Sequence, residues 1–173
     1  MVEATFVLNL VETVGILVGV AIAIMEIRKG REERGNQFSL EFVRYTSSQE
    51  FWEHWISFLS NSDFSTYEEW SEKYGPYSNP EAAKHWYTIT WYYNTLGLRL
   101  LNGHIDLEDV VGYVEPYGLL LVWERSFPIF EKWKERYNNP KAFEGFEFLV
   151  NEIKKTYPNI TLISNPQRQR LMQ

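Results

Sequence analysis

The stretch VGILVGVAIAIMEIRKGREER, Val14 to Arg34, constrains the chain most. An almost unbroken apolar run stops at Met25 and gives way to a charged, mainly basic segment. From Ala4 to Ile27 the residues read ATFVLNLVETVGILVGVAIAIMEI. As a helix this segment extends roughly 36 Å at 1.5 Å per residue, against about 30 Å for a bilayer hydrocarbon core. Three readings compete: a cleaved signal, a buried or partner-groove helix, and a membrane anchor. Ala21-Ile22-Ala23 resembles a signal cleavage site, but a signal peptide carries its positive charge before the apolar core. Here Glu3 precedes the core, and Arg28, Lys29, Arg31 and Arg34 follow it. The expectation is therefore a transmembrane helix over residues 1–27 in the cell membrane. The basic excess on its C-terminal side orients the N-terminus outside and the remainder in the cytoplasm.

Asn9 and Glu12 interrupt the apolar span, and a carboxylate near a helix centre costs at least about 2.5 kcal/mol on insertion scales. Helical spacing supplies a reason to tolerate it. Glu12, Gly15 (or Ile16), Gly19, Ala23 and Glu26 recur at three- and four-residue steps and share one face. Small residues four apart let two helices approach closely in lipid, so Glu12, Gly15, Gly19 and Ala23 are the expected helix–helix interface. Arg28, Lys29, Arg31 and Arg34 are the expected headgroup and topology residues, with Glu32 and Glu33 diluting any polybasic character. Gly30 and Gly35 make 28–35 a candidate hinge, without excluding a continuous helix.

Beyond Gly35 the apolar spacing is helical, apart from a short alternating ITLIS at 160–164. A helix is expected over Gln37–Leu59, burying Phe42, Tyr45, Trp52, Trp55, Ile56 and Leu59. Ser65 or Thr66 caps a short helix through Trp70 to Tyr74, and GPYSNP breaks the chain. Pro80 opens a long helix, apolar nearly all round, that ends at Asn102-Gly103. Asp106 caps a short helix to Val114. Pro116 opens another long helix to about Tyr137, with Pro128 expected to kink or split it. A last helix is expected from Pro140 to Tyr157, followed by an unpacked tail over 158–173. The fold class is all-α: one transmembrane helix followed by an aromatic-rich cytosolic helical bundle over 36–157.

Composition narrows the function. Aromatics make up 17% of the 173 residues, including 7 Trp, which requires a packed core outside the apolar segment. The net charge of -6 argues against a nucleic-acid partner. With 0 Cys, thiolate nucleophiles and cysteine zinc sites are absent from the chemistry. Three His remain. Glu50 with His54, and Glu81 with His85, each lie one helical turn apart. The di-iron bundles instead use a three-residue Glu–His step with two further carboxylates, so ordinary i,i+4 pairing is the better reading and no metal is expected. His104, beside Asp106, reads as a turn residue. Glu124 next to Trp123 is either a buried carboxylate or an amphipathic boundary residue. The Trp86–Tyr93 stripe reads as core before it reads as a ligand wall. Asn159-Ile160-Thr161 matches a glycosylation sequon on the expected cytosolic side. No phosphate loop, nucleophile elbow or zincin motif occurs, so neither an enzyme nor a cofactor is expected.

The layout resembles a known group. VETVGILVGVAIAIMEIRKGREER precedes LRLLNGHIDLEDV, the Trp-containing LLLVWERSFPIFEKWKERY and the closing FEGFEFLVNEIKK. From about Val11 to Lys155 the chain is similar to prokaryotic single-pass membrane proteins that carry a small cytosolic helical domain of unknown function. That resemblance implies anchoring, an all-helical domain and a prokaryotic source, and it supplies no reaction. The expected function is a membrane-anchored interaction protein: an accessory or scaffold subunit whose partners are other membrane subunits, a second copy of itself and membrane lipid. The alternative is a tethered sensor that binds a small apolar ligand in its helical domain. A metal enzyme built on Glu50, His54, Glu81 and His85 ranks third.

Overall fold

The computed structural model describes the backbone over residues 2–112 and 114–160; in the first helix it describes the side chains from residue 13 onward, except 31, 32, 34–36 and 39. Seven α-helices and no strand occur among the described residues: α1 (Val2–Thr46), α2 (Gln49–Ser60), α3 (Tyr67–Tyr74), α4 (Pro80–Leu101), α5 (Leu107–Val111), α6 (Pro116–Arg136) and α7 (Glu144–Thr156). The expected all-helical bundle is present. Most of ITLIS and of the tail over 158–173 lies outside the described residues.

The helix starts are set by side chains that satisfy orphan N–H groups. Ser48 Oγ accepts from Phe51 N at 3.1 Å, Thr66 Oγ1 from Glu69 N at 3.2 Å, and Asn79 Oδ1 from Ala82 N at 3.1 Å. Pro80 and Pro116 occupy first-turn positions, where a missing N–H costs nothing. α6 begins differently, with the Glu115 carboxylate accepting from Tyr117 N at 2.9 Å and also from Gly118 N.

The helix expected to reach Val114 ends at Val111, with Gly112 as its C-cap, and three further features differ from expectation, each for a physical reason. The helix expected over Gln37–Leu59 breaks at Ser47-Ser48, where Ser48 leaves helical geometry to cap α2. The break resets the helical phase. α2 therefore buries Phe51, His54 and Phe58 and leaves the expected core residues Trp52 and Ile56 exposed. α6 runs unbroken through Pro128, because Ser126 on one side and Ile129 and Phe130 on the other are buried and hold both halves. α7 starts at Glu144 rather than Pro140. Phe143, at φ 62°, turns its ring onto Phe130 with centroids 4.0 Å apart, a geometry that ends the preceding turn.

The core is aromatic and centred on α4, whose most extensive partner is α7. Tyr93 stacks on Phe146 with centroids 5.2 Å apart, and Trp123 meets Phe146 edge-on at 5.2 Å. Trp86 lies 5.0 Å from Trp70, and its indole N–H donates to buried Ser126 Oγ at 3.1 Å. The start of α7 has no cap of its own, since Phe143 offers no polar side chain. Asn94, buried on α4, supplies the acceptor: Phe146 N donates to its Oδ1 at 3.2 Å.

Candidate functional site

α1 is continuous through Gly30 and Gly35, so 28–35 is helix in the same element that enters the bundle. Its C-terminal end docks. Phe38 and Phe42 are buried, Tyr45 packs on Tyr92 and Phe51, and the Arg99 guanidinium lies 5.6 Å from the Phe38 ring centre. The preceding part is different. Every side chain from Thr13 to Lys29 is exposed, and a Cβ added to Gly15 or Gly19 would meet nothing within 4 Å. The large apolar side chains between Val14 and Ile27 are 47% to 63% exposed, so no face of this segment is covered by the bundle.

Gly15, Gly19 and Ala23 thus sit on an uncovered helix, as do Arg28 and Lys29, which lie just beyond the apolar run. Lys29 pairs with Glu33 at 3.9 Å on the exposed surface, a contact of little energetic weight. The side chains of Glu12, Arg31 and Arg34 lie outside the described residues. The transmembrane helix expected over 1–27 is corrected to this extent: among the described residues no helix is long and apolar enough to cross a membrane. The described apolar run, Val14 to Met25, extends only about 18 Å before Glu26, Arg28 and Lys29 follow.

Two features inside the bundle draw on side chains far apart in sequence. The first joins α2 to α4. His54 Nδ1 and His85 Nδ1 are 2.8 Å apart, with the rings 61° from coplanar. His54 is buried, and its Nε2 lies 3.8 Å from Glu50 Oε1. One ring must carry the proton on Nδ1 and the other must accept it, so both Nδ1 atoms cannot be protonated in this contact. No group of three or more metal-ligating side chains occurs among the described residues. The two Glu–His pairs of the sequence are therefore joined through their imidazoles, and neither carboxylate completes a ligand set.

Desolvation pushes the His85 imidazole below its ordinary value, and His54 and Lys84 push it the same way, against weaker opposition from Glu81 and Glu53. A depressed folded-state value means that the unfolded chain binds the proton first on acidification. The stabilisation is fully present above about pH 6.5, the ordinary imidazole value, and is lost as pH falls below it. Thermal melts from pH 8 to pH 5 should show a decline in Tm below that point, and His85→Gln should flatten the decline. An equal slope in the variant would show that the pair does not carry it.

The second feature is a pocket of about 290 Å³ where α1, α2, α4 and the start of α6 meet. Phe42 of α1, Phe51, Trp52 and Trp55 of α2, and Tyr92 and Tyr93 of α4 line it. Phe51 lies nearly parallel to Trp55 (interplanar angle 11°) and steeply inclined to Trp52 (82°) and Tyr92 (65°). Glu115 stands at the rim beside Gly118, where a Cβ would come within 3.0 Å of the Trp55 ring. Burial, reinforced by the Glu115 carboxylate, drives the Tyr93 hydroxyl well above the ordinary tyrosine value, so it stays protonated. Helical spacing assigns Trp52 and Trp55 to the core and gives no sign of the pocket. Its walls come from four helices, and no local spacing marks them.

Of the remaining candidates, Glu124 and His104 are exposed, as an amphipathic boundary residue and a turn residue require. Within the Trp86–Tyr93 stripe, Trp86, Ile89, Thr90 and Tyr93 are buried.

Residues 13–153 match the model of a family described as a domain of unknown function, DUF4760. The chain belongs to that family, whose extent covers the exposed part of α1 from Thr13 together with the bundle. No curated protein and no solved structure matches the chain.

Proposed function

We propose that the chain is a membrane-anchored interaction protein in which the apolar part of α1 leaves the bundle to insert into lipid beside a partner helix, and the bundle serves as the attached accessory or scaffold module. The observation that carries this reading is the all-round exposure of the apolar side chains from Val14 to Ile27 on a helix continuous with the docked segment at Phe38 and Phe42. Exposed apolar surface of this extent marks a membrane or protein contact. The sequence from Ala4 to Ile27 is long enough for a bilayer core, and Arg28 and Lys29 follow where headgroup anchors belong. This reading places the N-terminus outside and the bundle on the cytoplasmic side of the cell membrane. Gly15, Gly19 and Ala23, with Glu12 one step earlier, form the side on which a second helix approaches, either a second copy or another membrane subunit.

The expected result of Gly15→Ile or Gly19→Ile is a smaller assembly in mild detergent, with the Tm of the bundle unchanged. An assembly of unchanged size would overturn the close-packed interface.

A second reading is favoured by the pocket: the bundle holds a small ligand between α1 and α2, where occupancy bears on the end of the anchoring helix. Concave sites lined by aromatic side chains with few polar groups are the usual small-molecule sites.

A further inference from the structure

The geometry points to a specific ligand class for the α1–α2–α4–α6 pocket: a small organic cation with a methylated or otherwise apolar body, of the quaternary ammonium type. This inference rests on the reading of the pocket as a ligand site and adds the chemistry that selects the ligand. Three observations carry it.

The walls are aromatic rings set at different angles to one another. Phe51 and Trp55 present nearly parallel rings with centroids 6.3 Å apart, while Trp52 and Tyr92 lie 5.9 Å and 5.7 Å from Phe51 at steep inclinations. Such an arrangement surrounds the pocket with aromatic rings, and a ring face attracts a positive charge most strongly where water is excluded.

Among the described residues of the lining, Glu115 is the one charged side chain, and none is Lys, Arg or His. The carboxylate is fixed by its two backbone N–H donors at the start of α6, and among the described lining residues no cationic side chain competes for it. A neutral aromatic ligand would make no use of this charge, and an anion would be repelled by it.

Size sets the third limit. A cavity of about 290 Å³ is at the lower end of small-molecule pockets, and roughly 150 Å³ already accepts benzene. It accommodates a trimethylammonium head with a short tail.

The test is a titration of the full chain in maltoside micelles with choline, tetramethylammonium and 3,3-dimethylbutan-1-ol, the neutral isostere of choline, read by Tm and by isothermal calorimetry. The expected result is a concentration-dependent rise in Tm with both cations and at least tenfold weaker binding of the alcohol. Trp52→Ala should weaken choline binding by about tenfold. Trp52 is 51% exposed, so its loss leaves the fold intact, and an unchanged Tm of the unliganded variant verifies that. Glu115→Gln retains one acceptor for the α6 start and should narrow the preference for choline over the alcohol. If the alcohol binds as tightly as choline, the pocket is a ligand site of neutral apolar type and the cation assignment fails. If none of the three binds at millimolar concentration, the reading of the pocket as a ligand site fails with it.

Discussion

Replacing Gly97 with alanine is expected to destabilise the bundle by about 3 kcal/mol or more, near the upper limit for overpacking substitutions. A Cβ at Gly97 would stand 1.8 Å from the Gly145 carbonyl oxygen and 2.3 Å from its carbon. Both are backbone atoms, so no side chain can swing away. The crossing is reciprocal: a Cβ at Gly145 would come within 2.3 Å of the Asn94 carbonyl oxygen. α4 and α7 must therefore separate, and separation acts on the contacts beside the crossing. It stretches the 3.2 Å bond from Phe146 N to Asn94 Oδ1, whose loss leaves a buried donor unpaired at about 1–3 kcal/mol. It also opens the Tyr93–Phe146 stack. Thermal melts of the full chain should show Tm falling by on the order of 10 °C. A fall of only a degree or two would mean that the helices cross less tightly than described.

Phe146→Ala has the second large effect, expected at about 3–5 kcal/mol from the lost burial and the cavity left behind. The ring is 0% exposed and touches Tyr93, Trp123 and Phe130, which come from α4 and α6. It is the point at which α7 joins both helices, and the neighbouring rings are themselves held by further aromatics, so the site cannot collapse freely. Phe146→Leu keeps most of the volume and should cost less than about 1.5 kcal/mol. Denaturant unfolding distinguishes the two, with the midpoint shifted and the slope retained in each. Equal losses for Ala and Leu would show that ring geometry, not filled volume, is what the site requires.

Element identity was legible wherever a local signal marks it. Ser65 or Thr66, Pro80, Asp106 and Pro116 each announce a helix start, and α3 to α6 begin where they say. The aromatic stripe of α4 and the buried face of α6 followed from helical spacing for the same reason. Positions set by distant partners were not legible. Ser48 looks like an ordinary polar residue within a helix until its hydroxyl is seen capping α2, and that single break rotates Trp52 and Ile56 out of the core. Gly97 reads as one small residue of a stripe, because its partner Gly145 lies on α7. The His54–His85 contact joins two helices whose separate Glu–His spacing suggested only local pairing. The pocket combines both failures, since Trp52 lines it through the phase reset and Glu115 through its unusual capping role.

Insertion of α1 into lipid is open to a direct test, since the chain contains 0 Cys. A single Val18→Cys variant, labelled with a polarity-sensitive fluorophore and reconstituted into phospholipid vesicles, reports the surroundings of the uncovered apolar segment. Glu53→Cys, on the exposed side of α2, serves as the aqueous reference. Membrane insertion predicts blue-shifted emission at position 18 that aqueous iodide does not quench, beside full quenching at position 53. Equal quenching at both positions would contradict the anchoring of this helix in lipid.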